Sequence, residues 1–317
     1  MLVEHKIMIR GKRVAQGRPD PEPVGALLRR VKNLAVDSVG MGFRGSSRIR
    51  GQRPAWMQRA SDVRFVEISS GPNDSTLLHF TAPRFGEVAE EIYRQGQLFG
   101  TTPGQDDTAF DVMGDMLTDV ARRLRDSDRF DIGVLQRLEG FKKPVFHHGV
   151  DDVSLLGGRL PGDHPPTIDI QLTDIATSLY QETPAPVRAR VSGHLDMIRV
   201  SDKVFVLILI DGQRVRGIWL GDSIAPLRHH LDQDVVVNGT VAYRPSGSAL
   251  RIDAETIDAT SASDQLFSKL PPPSGLTLRK PHLLQSQTAA TGMKAVFGKW
   301  PGDETDDEIL RTLAEVE

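Results

Sequence analysis

Between Val187 and Ile257 the chain reads Val187-Arg-Ala-Arg-Val-Ser-Gly-His-Leu-Asp-Met-Ile-Arg199, Val204-Phe-Val-Leu-Ile-Leu-Ile210, Gln213-Arg-Val-Arg-Gly-Ile-Trp-Leu220, Asp234-Val-Val-Val-Asn-Gly-Thr-Val-Ala-Tyr243 and Ala249-Leu-Arg-Ile-Asp-Ala-Glu-Thr-Ile257. These runs are rich in β-branched and aromatic side chains and are separated by Gly, Asp, Ser and Pro, which marks short strands. In the first run Val187, Ala189 and Val191 alternate with Arg188, Arg190 and Ser192, so one face is apolar and the other wet. Asp211-Gly212 stands at hairpin distance between the second and third runs. Ile224-Ala-Pro-Leu-Arg-His-His-Leu231, between the third and fourth, reads as a helix. The pattern predicts a small barrel or an open sheet over residues 186–260.

Five short strands with a helix after the third resemble the OB-fold barrel. That resemblance implies nucleic acid as a ligand, held by a basic groove and aromatic stacking. Residues 186–260 carry nine basic and nine acidic side chains, with Phe205, Trp219 and Tyr243 as the aromatics. Arg188, Arg190, Arg214 and Arg216 form a basic stripe if they share the wet face.

Working outward, residues 1–160 read as an α+β domain, and residues 161–185 as a connecting helix with Ile168, Leu172, Ile175 and Leu179 along one face. Strands are expected at Lys6–Arg10, Val63–Ile68 and Ser75–Phe80, and helices at 23–36, 86–93, 107–124 and 130–139. Residues 1–60 hold thirteen lysines and arginines against four carboxylates, net +9, whereas residues 61–140 hold eight against fifteen, net −7. Arg44, Arg48, Arg50 and Arg53, interleaved with Phe43 and Trp56, suit phosphate contacts and stacking from a loop. Gly40-Met-Gly-Phe-Arg-Gly45 spells a dinucleotide fingerprint, but no strand precedes it and no helix follows, so it reads as a flexible loop.

Asp107, Asp111, Asp115 and Asp119 recur every four residues, which lines one side of a helix with like charges. Two explanations compete. A divalent ion could use Asp106, Asp107 and Asp111, or the early aspartates suit the helix N-terminus while Arg122, Arg123 and Arg125 suit its C-terminus.

The end of the chain has its own character. Pro/Ser/Gln-rich residues 261–292 read as a disordered linker, followed at 293–317 by Met293-Lys-Ala-Val-Phe-Gly-Lys-Trp-Pro-Gly-Asp-Glu-Thr-Asp-Asp-Glu-Ile-Leu-Arg-Thr-Leu-Ala-Glu-Val-Glu317. Ile309, Leu310 and Leu313 fall at helical spacing behind an acidic first turn, and residues 301–317 carry net −6. Phe-Gly-Lys-Trp-Pro-Gly-Asp-Glu followed by an acidic helix resembles the C-terminal tails of bacterial antitoxins that accompany PIN-domain ribonuclease toxins. The resemblance implies that the tail lies across a toxin's carboxylate-lined metal site, with Lys294 or Lys299 placed among the carboxylates and Phe297 and Trp300 as apolar anchors. It covers about the last 25 residues; the rest of the chain is far longer than such antitoxins and does not share their small DNA-binding head.

The chain has 317 residues, 39% apolar, with no cysteine and a net charge of −3. A disulfide framework and thiol chemistry are thereby excluded. No apolar run reaches membrane-spanning length and the N-terminus lacks a signal-peptide core, so a cytoplasmic location is expected. No catalytic constellation or cofactor motif stands out. The expected function is that of a non-enzymatic, antitoxin-like binding protein with a docking tail. A nucleic-acid-binding accessory protein and a metal-dependent enzyme built on the aspartate helix are the alternatives.

Overall fold

The computed structural model describes residues 2–49, 51–94, 102–261, 264 and 267–273. Most of the expected linker and all of the expected docking tail lie outside them. The chain divides into two compact units, Met1–Leu278 and Arg279–Glu317, and the described helices and strands all belong to the first.

Strand β1 (Leu2–Arg10) leads into helix α1 (Pro21–Arg44), which starts where the Asp20 carboxylate accepts from the Glu22 N–H and Pro21 occupies the first turn. The helix runs eight residues beyond the expected end at 36. The Gly40–Gly45 sequence is therefore its last turn and cap, not a flexible loop. Gly40 and Gly42 are needed there for packing: a Cβ would stand 2.6 Å from the Ser46 carbonyl oxygen and 2.8 Å from the Pro103 ring, respectively. After α2 (Ala55–Ala60) come strands β2 (Arg64–Ser70) and β3 (Thr76–Pro83), the expected hairpin. The short helices α3 (Phe85–Val88) and α4 (Glu90–Tyr93) precede α5 (Ala109–Ala121), whose N-terminus is closed by a Thr108/Asp111 capping box. Helix α6 (Ile132–Glu139) is followed by β4 (Asp152–Gly157), β5 (Thr167–Asp169) and α7 (Ile170–Glu182). Ile168 thus belongs to β5 and not to the helix after it, and Leu124 is exposed beyond the end of α5.

The five strands form one sheet in the order β2-β3-β1-β4-β5. Strand β1 sits at its centre, antiparallel to β3 and to β4. Ile7, Ile9, Leu78, Phe80, Val153 and Leu155 on its inner face share one core with Leu27, Val31 and Leu34 of α1 and Met113 and Leu117 of α5.

The second part matches the sequence reading closely: β6 (Val187–Arg199), β7 (Val204–Ile208), β8 (Arg214–Trp219), α8 (Ala225–His229), β9 (Asp234–Tyr243) and β10 (Ala249–Ala259). The strands close into a barrel in the order β10-β8-β7-β6-β9. Closure is made by β10, which runs parallel to β8 and antiparallel to β9, leaving no free sheet edge. Val191, Leu195, Phe205, Val237 and Ile252 fill the barrel interior. Among the described residues no helix is long and apolar enough to cross a membrane.

Candidate functional site

The last carbonyls of an α-helix lack intrahelical partners and lie at the negative end of its dipole. At the end of α1 the barrel supplies the missing donors. Arg199, the last residue of β6, donates from Nη2 to the Phe43 carbonyl at 2.5 Å, and Arg251 of β10 donates from Nη1 to the Gly45 carbonyl at 2.9 Å. Arg216 of β8 lies against Gly45, so a Cβ there would stand 2.1 Å from its Nη1. Gly45 has φ +73°, the left-handed cap conformation, and its N–H closes on the Met41 carbonyl.

Carboxylates balance these cations. Asp202 takes both its bonds from Arg199, Nε to Oδ1 at 2.9 Å and Nη2 to Oδ2 at 2.8 Å, with both side chains fully buried. Asp253 and Asp131 hold Arg251, and Asp131 also accepts from the Ser47 hydroxyl and N–H. Burial pushes the Arg216 guanidinium down to about 10, opposed by Asp128. Burial also lowers Arg44, opposed by Asp202 and Asp253.

Beside this junction opens a cleft of about 890 Å³. Its floor includes the buried Arg44 and Arg251 and the buried hydroxyl of Ser201, and its rim carries the exposed Arg48 and Arg53 and the half-buried Lys203. Ile218, Leu220 and Leu250 give it an apolar wall, and Asp37, Asp131, Asp202, Asp222 and Asp253 also line it. Lys203 is tied at the rim by the Gly221 and Asp222 carbonyls, each 2.8 Å from Nζ.

The structure gathers only part of the arginine set singled out from sequence. Arg44, Arg48 and Arg53 line the cleft, with Arg48 and Arg53 exposed; Arg50 lies outside the described residues. On the barrel, Arg188, Arg190 and Arg214 are exposed but each faces a carboxylate, and Arg216 leaves the set. Arg188 pairs with Glu255 at 2.5 Å, Arg190 with Asp264 at 2.5 Å and Arg214 with Asp196 at 2.9 Å, while Arg216 is buried at the junction. Phe43 and Trp56 are core residues in edge-to-face contact, and Phe205, Trp219 and Tyr243 belong to the barrel core. All five are buried, with Trp219 and Tyr243 also bordering the cleft.

The aspartate helix is neutralised by cations remote in sequence. Asp106 pairs with Arg84 at 2.6 Å, Arg159 bridges Asp107 at 2.7 Å and Asp115 at 2.8 Å, and Arg129 holds Asp119 at 3.1 Å. Asp111 is buried, accepting from Thr108 and from the Arg159 N–H. Asp106 and Asp107 precede α5; Asp106 is taken up by Arg84, and Asp107 and Asp111 both meet Arg159, the first its side chain and the second its backbone N–H. Arg122, Arg123 and Arg125 are not the compensating charges. Among the described residues no three His, Asp or Glu side chains converge as a ligand set. Lys294, Phe297, Lys299, Trp300, Ile309, Leu310 and Leu313 all lie outside the described residues.

Sequence reasoning missed Arg199, Ser201, Asp202, Lys203 and Arg251. The available signal was an arginine between apolar neighbours in a strand, as in Leu250-Arg251-Ile252, which shows that the second face of the strand is also covered. No known protein family, curated protein or solved structure matches the chain.

Proposed function

We propose that this chain is an antitoxin-like binding protein whose segment 293–317 docks on a PIN-type ribonuclease. The observation that carries the reading is the partition of the chain after Leu278. The residues with the docking pattern fall in a unit separate from the body. The body supports a presenting role: most of the carboxylates and arginines described above are engaged with one another and with backbone, as a scaffold requires. The strand order of the barrel, with β10 parallel to β8 and the helix α8 between the third and fourth strands, favours the OB reading.

The test pairs the full chain with a PIN-type ribonuclease encoded beside it. Deleting 293–317 leaves the melting temperature of the body within about 2 °C and abolishes inhibition of the ribonuclease. Trp300→Ala weakens binding by about 2 kcal/mol or more, because buried aromatic anchors dominate peptide affinity. A truncated body that melts much lower, together with a ribonuclease untouched by the full chain, refutes the proposal.

A further inference from the structure

We propose that the floor of the cleft, at Arg44, Ser201 and Arg251, is a binding site for the phosphoryl group of an organic phosphate. This proposal does not depend on the tail. Its starting point is Arg44, which is 9% exposed and whose side chain makes no hydrogen bond or ion pair with any described residue. A guanidinium withdrawn from water without an anion is costly, and buried charges are ordinarily paired.

The nearby carboxylates Asp202 and Asp253 act on Arg44 only from beyond ion-pair distance. Both oxygens of Asp202 are held by Arg199, and Asp253 is held by Arg251. The shortage extends to neighbouring donors. Arg44 Nε, Arg199 Nη1 and Ser201 Oγ are all buried without a hydrogen-bond partner, and all three belong to this one junction. Arg44 and Ser201 line the cleft directly, and the Arg199 charge stands behind them. Arg251, also on the floor, has Nη1 and Nε committed to Gly45 and Asp253 but adds its charge.

A site with two guanidinium groups, a third behind and a hydroxyl donor matches a multiply charged tetrahedral anion better than a single carboxylate. The apolar wall of Ile218, Leu220 and Leu250 and the volume of about 890 Å³ suit the organic part of such a ligand. Arg48, Arg53 and Lys203 add further cations to a lining that also carries the carboxylates of Asp37, Asp131, Asp202, Asp222 and Asp253. The phosphoryl group can come from a free nucleotide or from the backbone of a single strand.

The experiment titrates the full-length protein with inorganic phosphate, AMP and a short single-stranded oligonucleotide, by calorimetry and thermal melting at low salt. All phosphorylated probes are expected to raise the melting temperature of the wild type. Arg44→Met should weaken them by about tenfold or more, since a charge-assisted contact is lost, while its own unliganded melting temperature stays equal or rises because a buried unpaired charge is gone. Ser201→Ala should weaken them by about threefold with little effect on folding. An oligonucleotide at least about tenfold tighter than AMP, with log affinity falling several-fold steeper than log salt, assigns the phosphate to a nucleic-acid backbone. Comparable affinities with a shallow salt slope assign it to a free phosphorylated ligand. Absence of binding by all three probes overturns the proposal, as does an Arg44→Met protein that binds them normally.

Discussion

Replacing Asp202 by Ala isolates the most deeply buried ion pair among the described residues. Arg199 and Asp202 are both fully shielded from solvent, and the guanidinium also holds the Phe43 carbonyl. In the variant, Arg199 keeps one carbonyl partner and loses two charge-assisted bonds, leaving an uncompensated cation in the interior. Breaking such a pair from one side costs about 3–5 kcal/mol. That is a large share of a total folding free energy of about 5–15 kcal/mol. For a body of this size it lowers the melting temperature by roughly 6–20 °C. Urea unfolding followed by tryptophan fluorescence reads the loss in both parts, because Trp56 lies in the α+β core and Trp219 in the barrel core. The double change Arg199→Met/Asp202→Leu should recover most of it, leaving about 1 kcal/mol for the Phe43 carbonyl without its donor. An Asp202→Ala protein within about 1 kcal/mol of wild type, or a double variant no better than the single, would show that the pair does not secure the junction.

Gly45→Ala should cost more than about 2 kcal/mol in the same assay, because the left-handed backbone adds about 1–2 kcal/mol and the new Cβ displaces Arg216. Gly51→Ala, at φ +77° with open space around it, is the control and should show the backbone cost alone. His5 provides a pH test. Its ring is buried beside Phe110, and burial holds its pKa below the ordinary 6.5, with Asp111 partly opposing. The native state therefore binds fewer protons than the unfolded chain below that value. Its stability is complete above about pH 6.5 and falls as pH drops toward the folded pKa, by up to about 1.4 kcal/mol per unit. His5→Gln should flatten this slope in urea midpoints measured at pH 5.5 and 7.5; an unchanged slope would clear His5 of the role.

The barrel was legible because its information is local. Alternation in Val187–Ser192 and the Asp211-Gly212 turn each fix a face or a turn within a few residues, and β6 and β9 begin and end where the strand-like runs Val187–Arg199 and Asp234–Tyr243 do. The end of α1 was not legible, since Gly40 and Gly42 each disfavour a helix by about 1 kcal/mol and are required only by neighbours such as Ser46 and Pro103. Strand β4 was missed because Val153-Ser-Leu-Leu156 carries no alternation; its pairing with β1 decides its state. The charge logic failed for the same reason. Asp107 and Asp115 are reconciled by Arg159, and the end of α1 by Arg199 and Arg251, partners that no local window contains.

The distance along the chain between α1 and its capping arginines has a consequence for how the protein is made. Gly45 and Arg251 are 206 residues apart, and at about 5–20 residues per second a ribosome needs roughly 10–40 s to deliver the second after the first. Throughout that interval the nascent α1 has no arginine from β10 to close its last turn, and β1 waits across 142 residues for Asp152 to meet Arg10. The seam between helix and barrel is therefore a late event of biosynthesis, and a nascent chain arrested before β10 emerges would present an uncapped helix end to the chaperones around it.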